Sequence, residues 1–208
     1  MLTVTRLEPQ KKNPGRMNVY LDGEFAFGIS LAVAPWLKEG DQISQNKITA
    51  LKTEDDLESA YQRALNFLSY RSRSEQEIRQ NLYKAKVANE IIDAVLDKLR
   101  AGSFVNDNEF AREWVENRIK FRPRGKRALS SELYQKGISN QIIEETLQDL
   151  NEEKLAFDLA RKKMTKHKHL ERTAFQKKMY GYLSRRGFDY SLSKEVINNI
   201  WIELEEKL

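Results

Sequence analysis

The chain has 208 residues, of which 32% are charged and 40% hydrophobic, and its net charge at pH 7 is +5. This balance is typical of a folded, helix-rich protein of one or two domains with a basic surface, and not of a disordered chain. The chain contains no cysteine, which excludes disulfides and thiolate chemistry; with no long apolar run and no signal-peptide core, we expect a cytoplasmic protein.

The basic residues are distributed unevenly along the chain. Residues 161–186 contain ten Lys or Arg and one acid, and residues 112–127 contain seven against two. Residues 187–208 reverse the balance, with five acids and two lysines. Such clusters are typical of proteins that associate with nucleic acid. A lysine-rich solvated surface explains the charge equally well when charge is considered alone.

Residues 1–55 predict a small β-rich segment with a short helix. Asp22-Gly23 lies between two β-prone runs, which is typical of a type I′ hairpin turn because both turn residues need positive φ. Residues 9–16 are predicted to form a loop between a first strand and this hairpin. The stretch of residues 31–44 predicts a short helix that is stopped at Gly40, with Pro35 either kinking it or marking its boundary. We therefore expect three strands and one helix here.

From Glu54 onward the apolar residues recur with the period of an α-helix. Residues 57–68 predict a first helix, and residues 91–99 predict a third. Between them Ser74 and Glu77 form a capping box, in which Ser74 is the N-cap of a second helix. Three short helices with brief connections are typical of a small helical bundle.

This pattern returns after 51 residues, and polar residues show it best because apolar matches follow from helical periodicity alone. The matching polar pairs are Arg71 with Arg122, Arg73 with Arg124, and Asn89 with Asn140.

A third, less similar copy follows after about 50 residues, in which Arg122 falls on Arg172 but Arg124 falls on Ala174. Terminal repeats often diverge because one of their faces has no neighbour to cover. We predict a mainly α-helical protein of tandem three-helix repeats in an elongated, curved array behind a small β segment. The expected domains are residues 1–55, 56–104, 105–151 and 152–208.

No set of residues predicts catalysis. The chain has no phosphate-binding G-x-x-x-x-G-K loop, and His167 and His169 flank a lysine in a basic run, which favours a surface loop over a metal site. Asp107, Glu109 and Glu113 resemble a carboxylate cluster, but Asp107 is better explained as a helix N-cap, and the helix dipole favours acids in a first turn. We expect no enzymatic activity, no metal and no cofactor.

The paired arginines ahead of the second helix of each repeat are better candidates for function. Cations oppose the dipole at a helix N-terminus, so their recurrence needs a reason. Arginines together with free backbone N–H groups are suited to binding phosphate or carboxylate. A solvated loop, or ion pairs with Glu75 or Glu116, is the alternative, although surface pairs contribute only ~1 kcal/mol or less.

Tyr70 and Phe121 lie directly beside these arginines. They either pack inward, which is the commoner outcome for aromatic residues, or stack on nucleobases.

The sequence resembles the bacterial RecX family over nearly its whole length. The resemblance is carried by ALNFLSYRSRSEQEIRQNL, VLDKLRAGSFVNDNEFAREWVENR and RGKRALSSELYQKGI, and by NVYLDGEFAFGIS near the N-terminus. The third repeat matches least. RecX proteins are tandem three-helix repeat proteins that bind the filament formed by the recombinase RecA on single-stranded DNA.

The resemblance implies a non-enzymatic modulator, in the first place an inhibitor, of RecA in homologous recombination, DNA repair and the SOS response. It would limit filament extension, ATPase, strand exchange and repressor cleavage. The implied partners are the RecA filament, single-stranded DNA and, as a second candidate, double-stranded DNA; a monomer without membrane contact is expected. The implied binding residues are Arg71, Arg73, Lys120, Arg122, Arg124, Lys126, Arg127, Arg172, Arg185 and Arg186.

A direct nucleic-acid-binding protein that competes for DNA is the alternative, because three-helix units with a capped second helix resemble helix-turn-helix modules. Two observations disfavour it: the arginines precede the second helix, and the exposed polar residues expected on that helix do not recur in the second copy. These residues are Glu75, Gln76, Arg79 and Gln80.

Overall fold

The computed structural model describes residues 1–206, which contain four strands followed by nine helices. These residues form two compact units, one of residues 1–73 with 78–105 and one of residues 74–77 with 106 onward. The predicted fold class, three-helix repeats behind a small antiparallel sheet, is confirmed. No helix within residues 1–206 has the length and apolar character needed to cross a membrane.

The sheet is antiparallel with the strand order β3-β2-β1-β4. The predicted hairpin turn joins β2 to β3, and Asp22 and Gly23 have φ values of 49° and 94°, as a type I′ turn requires. The strands are β1 (Leu2–Gln10), β2 (Asn13–Leu21), β3 (Glu24–Ser30) and β4 (Gln42–Ile43).

Two parts of the N-terminal prediction are wrong. The loop predicted over residues 9–16 is only a turn at Lys11-Lys12, because both flanking strands continue almost to the reversal. The helix predicted over residues 31–44 is absent from this described stretch, which forms turns leading into β4, a fourth strand that was not predicted. Pro35 explains this difference, because proline lacks an amide hydrogen and disfavours helical backbone in the residue before it.

The first unit continues with α1 (Gln45–Leu68), α2 (Glu75–Lys84) and α3 (Asn89–Ala101), although the first turn of α2 belongs to the second unit. Helix α1 begins nine residues before Glu54, where the helical period was predicted to start, and it is capped by Ser44, whose side chain accepts from the Lys47 N–H.

A buried ion pair attaches α1 to the sheet. Asp55 is only 6% exposed and accepts from both terminal nitrogens of Arg16, at 2.5 and 3.2 Å. The same carboxylate accepts from the backbone N–H of Ser30 at 2.7 Å. A buried carboxylate with three donors is well compensated for its loss of water, so this contact fixes α1 against β2 and β3.

The second unit contains two further three-helix repeats, each with its own apolar core. Their helices are α4 (Asp107–Phe121), α5 (Lys126–Gln135), α6 (Asn140–Leu147), α7 (Glu152–Met164), α8 (Arg172–Ser184) and α9 (Tyr190–Glu205).

A glycine with positive φ follows the second helix in each of these two repeats. Gly137 has φ +81° and Gly187 has φ +84°. A Cβ at Gly137 would lie 2.3 Å from the Cβ of Gln76, and one at Gly187 would lie 2.4 Å from the Cβ of Ala128. In the first repeat Lys86 takes the matching position with φ 62°. Glycine is therefore needed where a second helix packs against this turn, as α5 does against Gly187.

We expect Gly187→Ala to lower the free energy of unfolding by about 2–5 kcal/mol, because left-handed backbone strain of about 1–2 kcal/mol is joined by overpacking of about 1–3 kcal/mol. Gly40→Ala is the matched control: Gly40 also has a positive φ, +94°, but nothing lies within 4 Å of an added Cβ, so only the strain remains. Urea unfolding measures both variants. Equal losses would show that the close approach to Ala128 is unimportant.

Candidate functional site

In the first repeat, the two arginines of the junction between α1 and α2 occupy different environments. Arg71 is exposed and its guanidinium donates to the carbonyl of Ser72 at 2.8 Å. Arg73 is half-buried and its guanidinium lies 3.9 Å from the centre of the Phe67 ring. Its Nε also donates to the Phe67 carbonyl at 3.4 Å. Arg73 therefore packs against the end of α1, whereas Arg71 faces solvent.

The second repeat divides its arginines in the same way. Arg122 is the exposed C-cap residue of α4. The Nε of Arg124 lies 2.9 Å from one carboxylate oxygen of Glu132 on α5. Arg118 Nε and the indole N–H of Trp114 share the other oxygen, at 2.6 and 2.8 Å. Glu132 therefore accepts from three donors and fixes the junction, and Arg124 pairs with this acid.

The charged contacts continue across Trp114. The centre of its ring lies 4.4 Å from the Arg118 guanidinium and 5.0 Å from the Lys136 ammonium. Lys136 also pairs with Glu77, with Nζ and Oε1 2.7 Å apart. Cations that contact both an aromatic face and a carboxylate lose much of their freedom to bind a partner.

The helix N-termini that were expected to present free N–H groups are already bound to carboxylates of the chain itself. The Glu75 N–H at the start of α2 donates to Asp107 at 2.9 Å. The Lys126 N–H at the start of α5 donates to Glu152 at 2.8 Å. Asp107 and Glu152 are the first residues of α4 and α7, so the same contact is made twice.

The capping box prediction is partly confirmed. Ser74 is fully buried, and its hydroxyl accepts from the Glu77 N–H at 3.3 Å while it donates to the Lys136 carbonyl at 2.6 Å. The predicted N-cap role of Asp107 is wrong. Asn106 caps α4, because its side-chain oxygen accepts from the two amides that follow Asp107, whereas the Asp107 side chain accepts from Glu75.

The remaining cations of the second repeat are mostly exposed. Lys120 and Arg127 are exposed, with the Lys120 ammonium 5.3 Å from the Phe121 ring. Lys126 is half-buried and donates from Nζ to the Gln148 carbonyl at 3.3 Å.

The third repeat places its predicted cations at the two ends of α8. Arg172 is the exposed first residue of the helix, and Arg185 is its exposed C-cap. Arg186 is half-buried, with its guanidinium 4.0 Å from the Tyr182 ring. Its carbonyl accepts from the Gly125 N–H at 2.8 Å. Arg172 and Arg185 are therefore the accessible pair in this repeat.

Exposed aromatic residues accompany the exposed arginines. Tyr70 is 84% exposed and Phe121 is 66% exposed, so the commoner outcome of inward packing does not occur at either position. Tyr83 and Tyr134, which match under the shift of 51 residues, are also largely exposed. That recurrence was the available signal for a surface role of these two tyrosines.

The two histidines lie in the turns between α7 and α8, which confirms the predicted loop. Desolvation lowers the pKa of His167, and the nearby charges of Lys163 and Lys178 lower it further. Within residues 1–206, no three His, Asp or Glu side chains cluster as a metal site would require.

Glu132→Gln should lower the free energy of unfolding by about 1–3 kcal/mol, because a neutral amide cannot accept equally well from Arg118, Arg124 and Trp114. Glu116→Gln on the exposed face of α4 is the control, with an expected change within about 0.5 kcal/mol. Chemical denaturation measures both. If the two variants are equally stable, the Glu132 contacts are no more than a solvated surface network.

The fold and the site together define a class: a tandem three-helix repeat protein that presents an exposed arginine at the junction between the first and second helices of each repeat. Family models for the first, second and third three-helix domains of RecX match residues 60–99, 106–147 and 151–197. The model for the N-terminal domain of regulatory protein RecX matches residues 2–44. The chain belongs to the RecX family of regulatory proteins.

Individual relatives agree with this assignment. The chain is 30% identical to the regulatory protein RecX of Clostridioides difficile (strain 630), with 95% of both chains covered. It is 30% identical to that of Bacillus subtilis (strain 168), covering 98% of this chain and 79% of the relative.

Solved structures share the fold. A crystal structure of a regulatory protein RecX matches with a TM-score of 0.74 and 28% identity, covering 95% of this chain and all of the other. The crystal structure of RecX from Lactobacillus salivarius matches with a TM-score of 0.65 and 25% identity, covering 71% of this chain and 98% of the other.

Proposed function

We propose that this protein is a non-enzymatic inhibitor of the recombinase RecA in the cytoplasm, acting as a monomer on the RecA filament that forms on single-stranded DNA. It limits filament extension and thereby lowers ATPase, strand exchange and repressor cleavage. Membership of a regulatory family supports a regulatory role. The observation that carries the proposal is the exposed aromatic–arginine pair, Tyr70 with Arg71 and Phe121 with Arg122, which recurs after 51 residues.

Repeated surface contacts suit a partner that is itself repetitive. A filament presents the same surface once per subunit, so a protein with repeated binding groups engages it at several points. Each additional contact is then intramolecular and adds avidity without needing high affinity of its own. Small changes in how filament subunits are spaced would weaken several contacts together, which is how binding could oppose extension.

The two arginines that precede the second helix of each of the first two repeats contribute differently to this mechanism. Arg73 and Arg124 are fixed by Phe67 and Glu132, so they position the junction. Arg71 and Arg122 are the exposed members and are the groups proposed to touch the partner. Since acids of the chain already bind the first amides of α2 and α5, an incoming phosphate or carboxylate would be recognised mainly by guanidinium groups.

We expect Arg122→Glu/Arg127→Glu to weaken inhibition of RecA ATPase on single-stranded DNA by about tenfold or more, because two attractive contacts become repulsive. Lys11→Glu/Lys12→Glu is the matched control: it makes the same charge change at exposed residues of the β1–β2 turn. The measurement is an ATPase titration with RecA and DNA held constant. Inhibition that survives the arginine change would remove Arg122 and Arg127 from the mechanism, and an equal loss in both variants would show that only net charge matters.

The same titration separates filament binding from competition for DNA. Binding to the filament predicts inhibition at substoichiometric amounts of protein, whatever its affinity for naked DNA. Affinity for naked DNA with a steep salt dependence, together with no binding to RecA or its filament, would instead support competition.

A further inference from the structure

The third repeat has an open cleft between α8 and α9, with a volume of about 360 Å³. Its walls carry Lys177 and Tyr180 from α8, and Tyr190 and Lys194 from α9. The two tyrosine rings meet edge to face, with centres 5.0 Å apart and planes at 71°. Tyr190 is 62% exposed, so this contact leaves much of its ring accessible to a ligand.

The matching positions of the other repeats have different charges. In the first repeat the positions of Tyr180 and Lys194 are held by Arg79 and Asp93, which form an ion pair at 2.6 Å. In the second repeat they are Ser130 and Glu144, and the cleft also contains Glu145 and Lys126. The acid at this position of the third helix is thus replaced by a lysine in the third repeat.

The third cleft therefore joins positive charge to an accessible aromatic ring. The described residues that line it include two lysines and no acid. A bound anion would consequently meet two ammonium groups and no carboxylate from the cleft walls. The same reasoning gives the matching positions of the first two repeats no preference for anions, because Arg79 is paired with Asp93 and the cleft of the second repeat contains Glu144 and Glu145 beside Lys126.

An amide pair adds hydrogen-bonding capacity at the same place. Gln176 donates from Nε2 to the Oδ1 of Asn198 at 3.2 Å, and both residues line the cleft. A primary amide carries two donor hydrogens and an acceptor oxygen, so the pair has donors and acceptors left to hydrogen-bond with the edge of a nucleobase. An acidic peptide would use the lysines and the amides but has no flat base to stack on the Tyr190 ring.

We propose that the α8–α9 cleft binds one nucleotide of single-stranded nucleic acid, with the base stacked on Tyr190 and the phosphate contacted by Lys177 and Lys194. Stacking on an exposed aromatic ring beside cationic side chains is the general mode by which proteins hold single strands without sequence preference. The site goes beyond the proposed function, because it uses none of the arginines assigned to the filament and requires no recombinase.

The test uses the full chain and fluorescence anisotropy at fixed salt with two labelled probes. One probe is a short oligodeoxythymidylate, and the other is an abasic deoxyribose-phosphate strand of equal length. The variants are Tyr190→Ala, Tyr190→Phe and Lys177→Glu/Lys194→Glu. Lys162→Glu/Lys166→Glu, at exposed residues of the same repeat outside the cleft, is the charge-matched control. Far-UV circular dichroism confirms that each variant is folded.

Tyr190→Ala should weaken binding of the oligodeoxythymidylate by about fivefold or more and leave the abasic strand unaffected, whereas Tyr190→Phe should retain binding. Lys177→Glu/Lys194→Glu should weaken binding of both probes, and by about tenfold more than the control pair. The proposal is overturned if Tyr190→Ala affects both probes equally or neither, or if the two lysine pairs behave alike.

A competition experiment addresses the alternative occupant. If polyglutamate displaces the oligonucleotide from the wild-type protein but not from Lys177→Glu/Lys194→Glu, and Tyr190→Ala changes nothing, the cleft binds an acidic protein segment and the nucleotide assignment is wrong. Because these measurements contain no RecA, their outcome is independent of the ATPase titration with the Arg122 and Arg127 variant.

Discussion

The organisation of the helical repeats depends on one kind of hydrogen bond. The backbone N–H at the start of the second helix of one repeat donates to the carboxylate of the residue that begins the first helix of the next repeat. Asp107 makes this contact with Glu75, and Glu152 makes it with Lys126. A helix N-terminus carries unsatisfied donors and partial positive charge, so a carboxylate there satisfies both the hydrogen-bond and the dipole requirement. The close approach also requires a turn without a side chain, which Gly187 supplies beside α5 in the second unit.

The same contact explains why arginines are tolerated ahead of these helices. A cation near a helix N-terminus is unfavourable when the dipole is uncompensated. With Asp107 and Glu152 in place, the positive ends of α2 and α5 already face a negative charge. The half-buried arginines are further stabilised by Phe67 or by Glu132, and the other two lie exposed at the surface. The arginine junction is thus part structural and part accessible.

The sequence predicted those features that depend on local or periodic signals. Ser74 was identified as a cap because the cap and the amide it binds lie three residues apart. The partner of the Glu75 amide could not be predicted, because Asp107 is 32 residues away and also fits a local capping pattern. The first turns of α1 were missed because the buried face that begins with Ile48 and Leu51 is interrupted by Asp55, a charged residue that is buried through its pairing with Arg16. Exposure of Tyr70 contradicts the usual behaviour of aromatic residues, and in the sequence only its position beside the arginines indicated the alternative of stacking on a base.

The repeats therefore share a scaffold and differ in surface chemistry. The contacts that join successive repeats are made by backbone amides, a carboxylate and a turn. These contacts do not depend on the side chains between the second and third helices. Those side chains are free to change, and the shared cleft position carries Asp93, Glu144 and Lys194 in successive copies. A change of sign at one position, with the backbone unaltered, converts an internally paired cleft into one that attracts anions. Duplication of a stable three-helix unit thus allows each copy to acquire its own ligand, while the joints that stack the copies remain the same.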